Sequence, residues 1–234
     1  MIYHLILVDS ALEIVPAEIQ DHPSVIADAK RKKKEANSIL LDTNYHHSAM
    51  GGLEEKKGRG RPDIVHFSLL CAQNTPLNKK HHSLQLAIHI ARPREQIITI
   101  NPDTRIPRSM NRFEGIIVKL LKEAGESEKP TQDKKLMQIE QKPLKEYIYG
   151  LKPVEIHLFT IKGGKCNFVP WIQENDKRDG NCVVLVGGFQ KGHFPESISN
   201  LALPTRIHSL SEQSLDAWTV VARIIHLIEL VKEK

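Results

Sequence analysis

The 234-residue chain is long enough for one large domain or one and a half average ones, and with 40% hydrophobic residues it can bury a sizeable core. Its 33 Lys and Arg against 28 Asp and Glu leave +5 with the 12 His neutral, which admits nucleic acid as a partner without requiring it. Only 5% of residues are aromatic, which argues against RNA readers that work mainly by stacking bases on Phe and Tyr, and no apolar run approaches the roughly 18 residues of a membrane span.

Ile2 to Val8 is a short apolar run with β-branched members. It predicts a buried strand and, lacking a basic leader or an A-x-A site, not a signal peptide. Pro23 opens a predicted helix, PSVIADAKRKKKEA, on which Lys30 to Lys34 form either a solvated face or a binding patch. Ser38 to Leu41 predicts a second short strand ending at Asp42. Residues 43–62 have paired glycines, mixed charge and little apolar periodicity, so they are expected to form a loop or a small excursion from the core. Ile64 to Cys71 fits a helix or a buried strand, since periodicity does not decide over so short a run. Leu84, Leu86, Ile88 and Ile90 alternate as one face of a strand, and Ile97 to Ile100 forms another that Asn101, Pro102 and Asp103 end.

Ser109 to Ala124 is the clearest amphipathic helix, with Met110, Phe113, Ile116, Ile117, Leu120 and Leu121 at helical spacing and Gly125 as its stop. The polar, lysine-rich residues 125–146 are expected to be a linker or an inserted arm. Val154 to Thr160 and Cys182 to Val186 read as core strands. Ser214 is expected to cap a last helix, LDAWTVVARIIHLIELV, whose wide apolar face suits burial against the sheet and against a second copy of the chain. Strands alternating with helices predict an α/β fold with a largely parallel sheet, and no internal repeat is visible. Cys71, Cys166 and Cys182 are isolated and odd in number, which fits reduced cytosolic thiols better than disulfides or zinc.

Three constellations carry chemistry. From Gly58 to Arg112 there are nine Lys or Arg and three acids, an excess of six that surpasses that of the whole chain. Within it, RIPRSMNRF sets Arg105, Arg108 and Arg112 three and four residues apart at the start of the amphipathic helix. Forked guanidiniums beside outward-pointing backbone N–H groups make a phosphate cradle there. Cations at a helix N-terminus oppose the macrodipole, so stability alone would not choose them. In GRGRPDIVH, Asp63 follows a rigid proline among arginines. The carboxylate is expected to stay ionised and to accept a proton or orient an N–H of a bound base, or else to pin the loop through an Arg–Asp ion pair; His66 reads as a structural histidine. In CVVLVGGFQKGHF, a buried strand runs into Gly187 and Gly188, with Gly192 following. This suits a ligand at a strand end or a simple glycine turn, and without a G-x-G-x-x-G or Walker pattern a cofactor lacking phosphates fits better than NAD or ATP. The pairs His46-His47 and His81-His82 lack spaced Cys or carboxylate partners, so no metal site is expected, and the absence of G-x-S-x-G weakens a hydrolase reading.

The ordered segments LLDTNYHHSAM, GRGRPDIVHFSLL, NTPLNK, NPDTRIPRSMNRFEGIIVKLL, VGGFQKGHF and SLSEQSLDAW resemble the ribosome-biogenesis methyltransferases of the nucleolar essential protein family, from near residue 38 to the C-terminus apart from the arm at 125–150. The resemblance implies a single SPOUT-type α/β domain with helices on both faces of a mostly parallel sheet, insertions near 43–62 and 125–150, and a cofactor-binding trefoil knot over about residues 154–234. It implies a cytoplasmic homodimer with S-adenosyl-L-methionine as methyl donor, small-subunit ribosomal RNA as substrate and ribosomal proteins as further partners. The reaction it implies is methylation of N1 of a pseudouridine. By matching segment, the cofactor residues are Thr160, Gly187, Gly188, Gly192, His193 and Phe194, with Leu210, Ser211, Glu212, Gln213, Ser214 and Leu215 offering backbone groups. Arg61 and Asp63 match catalytic positions at the target base, and Arg59, Arg61, Arg105, Arg108 and Arg112 match RNA-binding ones. The loop GGFQKGH departs from the Gly-Ala-Phe pattern with a following His-Gly of many relatives, and the short N-terminus is of the archaeal type. A non-catalytic RNA-binding assembly factor, or a SPOUT methyltransferase for another RNA position, are the alternatives.

Overall fold

The computed structural model describes residues 1–126, 136–190, 194, 198, 201 and 203–233. Its strands are β1 (Ile2–Val8), β2 (Leu84–Ile90), β3 (Gln96–Ile100), β4 (Met137–Gln141), β5 (Pro153–Lys165), β6 (Asn181–Gly187) and β7 (Thr205–Ser209). Its helices are α1 (Pro23–Lys32), α2 (Thr43–His46), α3 (Pro62–Gln73), α4 (Pro76–Lys79), α5 (Met110–Glu126), α6 (Leu144–Leu151), α7 (Phe168–Asn175) and α8 (Ala217–Lys232). One sheet runs in the order β4-β3-β2-β1-β6-β5-β7. Four of its pairings are parallel, and the β2–β3 and β3–β4 pairings are antiparallel. This is the mixed, mostly parallel α/β architecture expected.

The near-continuous apolar run of β1 follows from its central place. Helices cover both faces of a parallel sheet, so side chains on either face are buried. Tyr3, Leu5 and Leu7 enter the cluster that holds α3, α5, α7 and α8, while Ile6 and Val8 enter the opposite cluster with Leu144 and Ile148 of α6. α8 buries Val221, Ile224, Ile225 and Ile228, one face at helical spacing. Ile64 to Cys71 resolves as helix, inside α3.

Four expectations are corrected. Ser38 to Leu41 is not a sheet strand: Ile39, Leu40 and Leu41 are buried, but the chain pairs only with residues 13–15, through a single Ile14–Leu40 bridge. Gly125 does not stop α5, which runs to Glu126. The arm at 125–146 contains β4, an edge strand whose Met137 is buried while Gln138, Glu140 and Gln141 stay at the surface. Edge strands tolerate this polarity, which hides their periodicity. Ser214 does not cap the last helix: α8 begins at Ala217 with Asp216 at the N-cap position. Residues 43–62 form the expected excursion, folded as α2 and short 3-10 turns.

His157 of β5 and His208 of β7 are buried side by side, Nδ1 to Nε2 2.8 Å apart, beneath Phe168 and Trp171 of α7. Burial, then the neighbouring His208 and Arg206, push His157 down to about 3 from 6.5. A histidine kept neutral by the fold contributes its full stability above its ordinary value and loses it as pH falls toward the folded one. We expect the melting temperature to drop as pH is lowered from 7 to 5, where His157 alone costs about 2 kcal/mol. Scanning calorimetry of His157→Gln should show a shallower decline, and an identical slope would count against this role.

Candidate functional site

The C-terminal ends of β5, β6 and β7 open a cleft of about 300 Å³. Its shape comes from a break in the β5–β7 ladder: Phe159 and Gly164 both face His208, so residues 160–163 loop out between them. Gly163 permits this, since a Cβ there would lie 2.2 Å from the His208 backbone carbon. The strand end of β6 is held just as closely. Gly188 donates to the Val8 carbonyl at 2.8 Å and accepts from Ala11 at 3.0 Å, and a Cβ on it would lie 2.9 Å from the Ser10 Cα. On the third side, Ser209 Oγ donates to the Ser211 carbonyl and Ser211 Oγ accepts from the Gln213 N–H, which fixes the turn leading toward α8.

Of the expected cofactor residues, Thr160, Gly187 and Phe194 line this cleft, as do Leu210, Ser211, Gln213, Ser214 and Leu215. Gly188 supports the wall from behind, Glu212 is exposed outside the lining, and Gly192 and His193 lie outside the described residues. Sequence reasoning missed Phe159, Ile161, Val186 and Val220, which supply apolar walls. Among the described residues no charged side chain lines the cleft. The described lining, partly apolar with hydroxyls and backbone groups, offers no countercharge for phosphates and suits a nucleoside without them.

Asp63 occupies the first turn of α3 directly after Pro62, and Arg61 precedes the helix. Arg61 Nε and Nη2 donate to the two Asp63 oxygens at 2.8 and 2.7 Å, a bidentate pair. That hydrogen bond first, then the charges of Asp63, Asp42 and Asp216, outweigh burial and hold the Arg61 guanidinium above its ordinary value. Asp216 adjoins Ala217 of the cleft wall, and Phe67 of α3 meets Trp218 of α8 edge-on at 5.4 Å. The arginine–carboxylate pair therefore lies toward the start of α8, close enough to Asp216 to feel its charge.

Arg59 has a different setting from Arg61. Its Nε and Nη2 donate to Glu13 at 2.8 and 2.7 Å, its Nη1 reaches the Glu54 carbonyl, and both members of the ion pair are nearly buried. It anchors the loop internally and is not among the cations free for RNA. Arg105, Arg108 and Arg112 are exposed and make no ion pair or side-chain hydrogen bond among the described residues. α3 holds the loop that carries Arg105 and Arg108 and leads into α5, where Arg112 lies. Gln73 Nε2 donates to the carbonyls of Asn101, Pro102 and Thr104, and buried His66 meets the Pro107 carbonyl at 2.6 Å while stacking on Phe113.

Residues 5–229 match the EMG1/NEP1 methyltransferase family. The chain belongs to that family. It is 36% identical over 225 residues to the ribosomal RNA small subunit methyltransferase Nep1 of Pyrococcus furiosus, covering 95% of this chain and 94% of the relative. Identity is 38% over 225 residues to the Nep1 of Thermococcus onnurineus, covering 95% of each. The crystal structure of Archaeoglobus fulgidus Nep1 bound to S-adenosylhomocysteine superposes with a TM-score of 0.83 at 32% identity over 100% of both chains. Family membership makes the chain a methyltransferase, and the α/β fold is that of its solved relative.

Because only a missing side chain lets residues 160–163 pass His208, Gly163→Ala should weaken S-adenosylhomocysteine binding at least about tenfold by calorimetry, a factor worth about 1.4 kcal/mol. Gly164→Ala, whose added Cβ would meet nothing within 4 Å, should bind as the parent does. Equal affinities for the two variants would remove Gly163 from the site.

Proposed function

We propose that this chain methylates N1 of a pseudouridine in small-subunit ribosomal RNA, in the cytoplasm, during small-subunit biogenesis. One observation carries the reading: a cleft with no charged side chain in its described lining lies near the start of α8, whose Asp216 acts on the bidentate Arg61–Asp63 pair, and three arginines, on the loop that α3 holds and at the start of α5, are unpaired among the described residues. S-adenosylmethionine, a nucleoside sulfonium without phosphates, fits that cleft and when bound supplies an activated methyl group. Arg105, Arg108 and Arg112 grip backbone phosphates of a splayed RNA loop. Arg61 fixes the direction of the Asp63 carboxylate. Each Asp63 oxygen keeps acceptor capacity beyond its bond to Arg61, so the pair can receive the N1–H of the base and set the plane of the ring. The N1 proton leaves toward Asp63, directly or through a water. Holding the base and the methyl donor in line is then the main contribution of the protein.

The same reading includes a second copy of the chain against α3 and α8, where Phe67 and Leu230 are 45% and 48% exposed. It also carries a knot over residues 154–234, part of which lies outside the described residues.

Mass analysis of paired RNAs that carry pseudouridine or uridine, incubated with labelled cofactor, tests the reaction. Methyl should appear on the pseudouridine RNA alone. Tight binding of both RNAs with methyl on neither would replace catalysis by an assembly role, and methyl on both would point to another position. Asp63→Asn should lose turnover by about 100-fold or more with S-adenosylhomocysteine affinity intact. Undiminished turnover would exclude the carboxylate from the step. Arg112→Ala should weaken RNA binding and make its log-log salt slope shallower by about 1. An unchanged slope would remove Arg112 from the phosphate contacts.

A further inference from the structure

The lysine-rich end of α1 and the exposed Tyr45 of α2 belong to no part of the site described so far, yet the fold joins both to it. Asp28 of α1, 3% exposed, is the hub. Arg31 Nε donates to it at 3.1 Å, Lys32 Nζ lies 3.1 Å away and His46 Nε2 3.3 Å away. The Arg31 guanidinium so fixed lies 4.1 Å from the centroid of the Tyr45 ring, which is 45% exposed. A guanidinium held by a buried carboxylate and packed on a solvent-facing aromatic ring is a preformed platform for a nucleobase.

The platform touches both arginine motifs through its supports. Lys32 Nζ also reaches Glu114 of α5 at 2.8 Å, two residues beyond Arg112, and Lys34 Nζ lies 4.0 Å from the point where a Cβ on Gly115 would stand. On the other side, the Thr43 N–H and hydroxyl, at the start of α2, both donate to the Gly60 carbonyl at 2.8 Å, next to Arg61. A helix C-terminus favours cations in its last turn, which accounts for Lys30. Lys33 and Lys34 follow the helix, and neither has an ion-pair partner among the described residues. The cationic surface therefore continues from Arg112 across Lys34 and Lys33 to the Arg31–Tyr45 pair.

We infer that the Arg31–Tyr45 pair stacks an unpaired nucleotide beside the target and that Lys33 and Lys34 hold its phosphates, extending the RNA interface onto α1 and α2. This rests on the RNA-binding reading of Arg105, Arg108 and Arg112. RNA binding by fluorescence anisotropy at several salt concentrations, with a hairpin bearing the pseudouridine loop, tests it. Tyr45→Ala should weaken binding about tenfold with an unchanged salt slope, because stacking releases no counterions, and Tyr45→Phe should restore it. The double variant Lys33→Ala with Lys34→Ala should make the slope shallower by about 2. Both should raise KM for RNA and leave kcat and S-adenosylhomocysteine affinity unchanged. If Arg112→Ala weakens binding while Tyr45→Ala and the lysine variant do not, this extension falls and the arginine interface stands. If Arg112→Ala is silent as well, the underlying reading falls with it.

Discussion

The arrangement depends on how the chain leaves the central strand β1. Asp9 takes a left-handed conformation at φ 49° and donates its N–H to His89 at the end of β2. Two residues later, Ala11 donates to the Gly188 carbonyl at 3.0 Å and accepts from the Arg61 N–H at 3.2 Å. Glu13 then takes the guanidinium of Arg59. Within five residues the exit of β1 is bonded to β2, to the glycine turn behind the cleft and to the segment that carries Arg61 and Asp63. A buried backbone amide or carbonyl is costly to leave unpaired. The separation between cleft and carboxylate is therefore set by main-chain hydrogen bonds rather than by flexible side chains. The clearance at Gly188 is part of the same device, since any larger residue would push against Ser10 and move the β1 exit.

Pairing divides the arginines into working classes. Arg59 is held from two sides and closes a loop. Arg61 is paired but partly open, so its partner carboxylate is aimed and still reachable, at 18% and 24% side-chain exposure. Arg105, Arg108 and Arg112 have no partners among the described residues; the first two stand on a loop that Gln73 and His66 hold, and Arg112 lies in the first turn of α5 that follows it. Free guanidiniums near a helix N-terminus are unfavourable to the isolated chain, and rigid support keeps them where an anionic backbone can use them.

These differences explain which parts of the molecule were legible in the sequence. β1, β2 and β6 are buried on both faces and announce themselves as apolar runs. β4 and β7 are edge strands with few inward residues, and the pattern of β7 reduces to His208. Ser38 to Leu41 is apolar enough for a strand, but it does not join the sheet ladder: Ile39 and Leu41 pack in a local cluster around Val15 and Val25, and Leu40 packs into the main core. The motifs were legible as blocks, whereas the roles within them were not. Arg59 and Arg61 flank one glycine and look alike until Glu13, far away in sequence, selects one of them. Gly163 sat in an unremarked Gly-Gly step, because only the approach of β7 makes one of the two indispensable.

The charge distribution separates two kinds of recognition that the overall +5 merges. The cleft proposed for the cofactor carries no charged side chain among its described lining, and contact with that lining comes from shape, backbone groups and apolar surface, with little dependence on salt. The surface proposed for RNA carries cations unpaired among the described residues, and binding there is expected to respond steeply to salt. Low aromatic content excludes a sheet of stacked bases, but it does not exclude one ring set under one guanidinium at the edge of that surface. A single stacking position adds contact that salt does not screen to binding otherwise dominated by phosphates. In the proposed complex it would fix the register of one nucleotide relative to Asp63, which sequence-independent charge contacts cannot do alone.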